Sequence, residues 1–236
     1  MPYIAGVDGC RTGWVAVLRD TAGGAATWER YARLEDLLAS PYALSLAAID
    51  IPLGLLDAGY RQCDTAARRL LPGRASSVFP APIRPLLDAP DYATANALSR
   101  EHSGVGLSRQ SYGILAKVRE ADGVVRAARA GLLRESHPEM AFVALNKGLP
   151  LASKHRPEGM AQRRELLLAL HGQGLERLEG RRMGQQGVGL DDLYDALALL
   201  ETAERLARGT GCRVPEPPPV DTYGIPMEIN FFRYDG

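Results

Sequence analysis

The chain has 236 residues, 46% of them hydrophobic, and its 28 Lys and Arg balance 28 Asp and Glu to a formal net charge of zero. That length and apolar content suit one domain, spanning 1–236, with an insertion. Zero net charge leaves no global field for nucleic acid or a membrane surface, so a polyanionic partner would have to be held by a local patch.

Three scattered cysteines, Cys10, Cys63 and Cys212, have no CxxC spacing, which argues for a reducing compartment and against structural zinc. The first residues lack a basic stretch, and the longest apolar run, 43–56, is broken by Asp50 and Pro52. No signal peptide or membrane span is expected, and a cytoplasmic protein is the default.

In chain order, Ile4-Ala5-Gly6-Val7-Asp8-Gly9 and Trp14-Val15-Ala16-Val17-Leu18 flank a short Gly-bounded turn and predict a β-hairpin. Asp8 then stands where a buried strand opens, a costly place for a charge without a cation or donors nearby. Hydrogen bonds from the turn amides would explain it equally well. Residues 25–31 predict a third antiparallel strand and 33–40 a short helix.

The run Leu44-Ser45-Leu46-Ala47-Ala48-Ile49-Asp50 lacks alternation, as expected of a strand buried on both faces and paired in parallel. It too ends in Asp, so residues 4–8 and 45–50 present one device twice.

From about 55 to 130 the pattern becomes a mostly helical insertion, with helices near 60–71, 92–101 and 111–130 and a Pro-rich loop at 75–85. Its basic residues, among them Arg61, Arg68, Arg69, Arg74, Arg84 and Lys117, are candidate phosphate contacts, although single surface cations usually just decorate helices.

Residues 132–136 predict a return to the sheet, and His137-Pro138-Glu139 opens a helix over 140–146. Pro138 suits a first helical position and Glu139 the positive end of the dipole, while His137 and Glu139 are also candidate metal ligands. A basic loop follows at 147–157, then a helix over 158–170, then an Arg- and Gly-rich stretch at 173–189 expected to be partly mobile.

The strongest helix starts at Asp191-Asp192-Leu193-Tyr194-Asp195, with Asp191 as the expected N-cap and Leu193, Ala196, Leu197 and Leu200 as its buried stripe. Asp192 and Asp195 are neighbours one turn apart, a repulsive pair unless a cation lies between them. Residues 227–232 are expected to close an edge of the sheet or pack across it.

The chain has no GxGxxG, GKS/T loop or nucleophile elbow. It offers instead acidic residues at the ends of two buried strands and in the first turns of one or two helices. An all-oxygen set suits Mg²⁺ or Mn²⁺. Two carboxylates roughly 4 Å apart repel by about 4 kcal/mol at an effective dielectric near 20, so without metal one should hold a proton.

The set Val7-Asp8-Gly9 with Gly13-Trp14, Ala48-Ile49-Asp50-Ile51-Pro52-Leu53-Gly54, Ser76-Ser77-Val78-Phe79-Pro80-Ala81-Pro82, His137-Pro138-Glu139 and Asp191-Asp192-Leu193-Tyr194-Asp195-Ala196 resembles the DUF429 family of predicted ribonuclease H-like nucleases. More distantly, Asp192-x-x-Asp195-Ala-Leu-Ala resembles the acidic helix of Holliday-junction resolvases.

The resemblance implies an α/β, ribonuclease H-like mixed five-stranded sheet flanked by helices. Asp8 on the first strand, Asp50 on the fourth and Asp195 on the last core helix would converge at one edge. It further implies two Mg²⁺ (or Mn²⁺) ions on Asp8, Asp50, Asp192 and Asp195, with Glu139 as a further candidate ligand. Arg68, Arg74 and Lys117 would hold the flanking phosphates of a DNA or RNA substrate, and resolvase relatives suggest a homodimer.

Two rival classes are an ATP-binding phosphotransferase of the actin and hexokinase kind, for which the chain has one hairpin too few, and a catalytically silent binding module. Asp8→Asn separates them: an enzyme would lose turnover but keep ligand binding, whereas a module would lose little.

Overall fold

A computed structural model describes residues 2–129, 131–182 and 187–234. In chain order the strands and helices are β1 (Pro2–Cys10), β2 (Gly13–Asp20), β3 (Thr27–Tyr31), α1 (Leu34–Leu38), β4 (Ala43–Ile49), α2 (Gln62–Leu70), α3 (Tyr92–Ser103), α4 (Arg109–Gly113) and α5 (Leu115–Val124). They continue with β5 (Leu133–Glu135), α6 (Pro138–Leu145), α7 (Pro157–His171), α8 (Gln173–Arg182), α9 (Leu190–Ala207), β6 (Cys212–Val214) and β7 (Ile229–Phe231). Short 3-10 turns occupy Ala75–Ser77 and Arg84–Asp88.

Two compact units share the chain. One holds residues 1–50, 131–212 and 230–236, and the other holds 51–130 and 213–229.

The first unit is built on a mixed five-stranded sheet in the order β3-β2-β1-β4-β5. β1 and β2 form the expected antiparallel hairpin, with Asp8 opposite Val15, and β3 extends it antiparallel. β4 lies parallel to β1, with Ile49 beside Val7, and β5 lies parallel to β4. Both are central strands, β1 buried on both faces from Ile4 to Asp8 and β4 only from Ala47 to Ile49, its first four residues being exposed or half-buried. Beyond β5, Asn230 bridges to Ser136 in parallel and its side-chain amide donates to the Glu135 carbonyl at 3.1 Å, so the chain end packs along that edge.

Gly6 and Asp8 share one face of β1, because side chains alternate along a strand. That face receives α9. A Cβ on Gly6 would overlap the Ala196 carbonyl and the Leu200 amide, so the absence of a side chain lets the helix backbone rest on the strand. Leu193, Ala196, Leu197 and Leu200 are fully buried as expected, but so is nearly everything between Leu193 and Glu204. The stripe becomes a full circumference because the sheet covers one side of α9 while α6 and α7 cover others. Residues 173–182, expected to be partly mobile, instead form α8. Leu175 and Leu178 are buried there, and the Leu178 carbonyl accepts the Trp28 indole N–H at 3.0 Å. Within that stretch, 183–186 lie outside the described residues.

The second unit is largely helical, as expected of the insertion, but it begins at Ile51 and takes in 213–229 as well. The helix predicted over 111–130 breaks into α4, α5 and a wider turn at Val125–Arg129. A buried carboxylate ties the later segment to the earlier one. Asp221 accepts from the amides of Leu55 (3.1 Å), Tyr223 (2.8 Å) and Ile225 (2.9 Å) and pairs with Arg84. Among the described residues, no helix is long and apolar enough to cross a membrane.

Candidate functional site

Three neighbouring parallel strands end together. The Asp50 amide donates to the Val7 carbonyl at 3.0 Å, and the Ser136 amide donates to the Ile49 carbonyl at 2.9 Å. This ladder sets Asp8, Asp50 and His137 at the carboxyl ends of β1, β4 and β5. Asp195 arrives from α9 by way of the Gly6 contact, since it directly precedes Ala196. Asp8 and Asp195 are buried, at 7% and 3% exposure.

The electrostatics show that these carboxylates feel one another. Burial raises the Asp8 carboxyl well above its usual range, and Asp195, Asp50 and Asp192 push it in the same direction. Burial raises Asp195 to about 6, against the pull of Lys154 and with a further push from Asp50. Asp50 is raised by burial too, and His137 and Lys154 offset part of it. Residues 8, 50 and 195 thus form one cluster, with Asp192 at its margin.

Lys154 lies among them. Its ammonium pairs with Asp195 Oδ2, and the attraction of Asp195, Asp8 and Asp50 holds its pKa above the ordinary lysine value despite burial. Lys154 was not singled out from the sequence, where it is one cation in a basic loop. Its signal is tertiary: a Cβ on Gly159 would run into the Ser153 and Ala152 carbonyls, so the loop packs directly on the first turn of α7. The Ala152 amide donates to Gln162 Oε1 at 2.8 Å, and Arg163 donates to the Ala152 carbonyl at 2.9 Å.

Arg163, 1% exposed, also donates to Glu139 Oε2 at 2.6 Å. Glu139 therefore stands beside the cluster in a buried ion pair, since Arg163 is also close enough to lower the Asp195 pKa. His137 caps α6, its Nδ1 accepting from the Glu139 amide at 3.2 Å.

At the start of α9 the expected cap is displaced. The helix opens at Gly189, two residues before Asp191, and the Asp192 carboxylate accepts from the Gly189 amide at 2.7 Å. The repulsion expected between Asp192 and Asp195 is met by two different partners, a helix amide for one and an ammonium for the other.

Among the described residues, no group of three or more His, Cys, Asp or Glu stands in an arrangement that could hold a metal ion. The partners explain why: Asp8 accepts from the Gly9 amide (2.8 Å), Asp192 from Gly189, Asp195 from Lys154 and Glu139 from Arg163. Each of these four carboxylates is engaged by its own donor.

Arg68, Arg74 and Lys117 all lie in the second unit. Arg68 donates to the Val78 carbonyl at 2.8 Å, Arg74 precedes the 3-10 turn at Ala75–Ser77, and Lys117 sits on α5. Two other arginines of that region are not surface cations. Arg61 is buried against Asp64 and the Leu53 carbonyl, and Arg84 binds Asp122 and Asp221.

A family model described as "Protein of unknown function (DUF429)" matches residues 6–220. No curated protein and no solved structure gives a significant match to the chain.

Proposed function

The chain belongs to the DUF429 family, and from that premise we propose that it is a ribonuclease H-like, divalent-cation-dependent nuclease acting on phosphodiester bonds at the acidic cluster. One observation carries this reading. Asp8 and Asp50, at the ends of adjacent parallel strands, and Asp195, on the helix crossing them, are held together against their own repulsion with carboxyl pKa values raised. A structural role would be served better by apolar side chains, because buried like charges cost free energy that a bound cation would return.

The donor atoms, as distinct from their present arrangement, suit a hard cation. Asp8, Asp50 and Asp195, with Asp192 at the margin, offer only carboxylate oxygens, which suit Mg²⁺ or Mn²⁺. When bound, such an ion supplies Lewis-acid activation of water and of the scissile phosphodiester. Asp8 and Asp50 would hold it on the rigid strand ends, and Asp195 would turn from Lys154 to complete the set. His137, felt by Asp50, borders the site as a polar neighbour. The substrate in this reading is DNA or RNA.

A second reading, a non-catalytic module on the same fold, is favoured by the Lys154 ammonium, which already compensates part of the cluster's charge. Incubation with single-stranded, duplex and branched DNA and RNA, with Mg²⁺ or Mn²⁺ and with chelator, separates the two. The nuclease reading expects cation-dependent cleavage that Asp8→Asn abolishes while nucleic-acid binding persists. Absence of cleavage on every substrate, with binding unchanged in Asp8→Asn, supports the module.

A further inference from the structure

We propose that residues 76–82 and the last turn of α2, both in the second unit, form a stacking surface for single-stranded nucleic acid, with Phe79 as its platform and Arg68 and Arg69 as its phosphate contacts. The inference rests on the nucleic-acid reading above and names the form of the strand, and the binding it describes needs neither cation nor cleavage.

The local build holds a phenyl ring out in water. Pro80 and Pro82 restrict Phe79 and Ala81 toward extended backbone, and α2 fixes the run on either side of the ring. The Arg68 guanidinium donates to the Val78 carbonyl at 2.8 Å, and the Ala81 amide donates to Asp64 Oδ2 at 2.9 Å. Asp64 is itself buried and paired with Arg61. Phe79 is thus 42% exposed on an anchored backbone, and a base stacking on it would pay little to order the platform.

A lone exposed aromatic needs no explanation. This one has cations beside it. The Arg68 guanidinium lies against the peptide unit that joins Val78 to Phe79, and Arg69 follows in the last turn of α2. Both arginines are exposed, and among the described residues neither makes an ion pair. Between 58 and 87 the one acidic residue is Asp64, already buried, so the charges this stretch exposes are all positive. In a chain of zero net charge, that is the local patch a polyanion requires. Cations in a last turn also complement the helix dipole, but that role calls for no ring beside them. A ring to stack on with guanidiniums alongside is how single strands are held, whereas a duplex keeps its base faces hidden.

The test is fluorescence anisotropy of the full chain with a labelled oligothymidylate and a labelled duplex of the same length, in chelator and over a range of salt, with circular dichroism to verify folding. Wild type is expected to bind the single strand at least about tenfold more tightly than the duplex. Phe79→Leu should weaken single-strand binding about tenfold, as for one lost stacking contact, and leave duplex binding unchanged. Phe79→Trp should keep the wild-type affinity. Arg69→Gln should lower the slope of log affinity against log salt by roughly 0.7 on the single strand.

Wild-type affinity in both Phe79→Leu and Arg69→Gln, equal affinity of the wild type for the two forms, or no binding at all would overturn the inference. So would displacement of the strand by polyglutamate as readily as by unlabelled strand, which would mark a surface for any polyanion. Cation-dependent cleavage is read separately. A wild type that cleaves without showing this binding loses the inference and keeps the nuclease reading, and one that binds as expected but cleaves nothing keeps the surface and loses the nuclease.

Discussion

The Ala196 carbonyl rests on Gly6, helix backbone against strand backbone, and this contact brings Asp195 to the same end of the sheet as Asp8. Replacing Gly6 with Ala would force α9 away from β1. Overpacking of this kind costs about 1–3 kcal/mol, and because the added methyl meets backbone, the upper end is expected. Urea unfolding of Gly6→Ala should show the loss in the midpoint, with Mn²⁺ affinity falling in parallel as Asp195 moves off.

Asp8→Asn should stabilise the metal-free protein. Burial and neighbouring carboxylates raise the Asp8 pKa in the fold, so its contribution favours folding at low pH and is lost as pH rises through the carboxylate range. The cost grows as pH rises from the ordinary carboxylate value and is complete only above the raised Asp8 pKa, and asparagine removes it. Each 1 kcal/mol relieved corresponds to about 2–4 °C in Tm for a chain of this size. Thermal melts in chelator should rank the variant above wild type, and excess Mn²⁺ should narrow or reverse the order.

Arg163 has one job on each side. It neutralises Glu139 and holds the loop that carries Lys154. Arg163→Met takes the guanidinium away from the buried Glu139 carboxylate, a loss of about 3–5 kcal/mol. The double variant Arg163→Met, Glu139→Gln should recover much of that stability in denaturant melts. It should not recover the placement of Lys154, so its Mn²⁺ isotherm should still depart from wild type.

His171 predicts an acid sensitivity away from the cluster. Its Nδ1 lies 3.1 Å from Arg19 Nη2, and burial, followed by repulsion from Arg19, lowers its pKa from 6.5 to about 4. Between those values the unfolded chain takes up a proton that the native state refuses, so stability falls as pH drops through that window and levels off below it. The loss amounts to about 3 kcal/mol at most. His171→Asn, whose amide oxygen can still accept from Arg19, should flatten the difference in urea midpoint between pH 7 and pH 5.

Asp8 and Asp50 were legible because two apolar strand runs each end in a carboxylate, and that recurrence set them apart from a single turn-capping Asp. Asp195 was legible because helix periodicity put a carboxylate among leucines and alanines. Lys154 was not, since its reach depends on where Gly159 lets a loop settle, and no local pattern encodes that contact. The cap of α9 was misplaced by two residues because either Asp191 or Asp192 can satisfy an N-terminal amide, and the extended backbone of Gly189 decided between them. Arg61 and Arg84 resembled surface cations for a related reason: their carboxylate partners, Asp64 on one side and Asp122 and Asp221 on the other, become neighbours only in three dimensions.

The route by which Asp221 is secured has a practical corollary for anyone wishing to dissect this protein. Its partners Leu55 and Arg84 come from a stretch more than a hundred residues earlier in the chain. Excising 51–130 with a short linker would therefore leave behind an orphan, a carboxylate made for a guanidinium that is no longer encoded. A clean minimal version of the sheet-bearing unit requires two cuts, with 213–229 bridged separately, and a chimera that transplants the helical unit must carry both of its segments together.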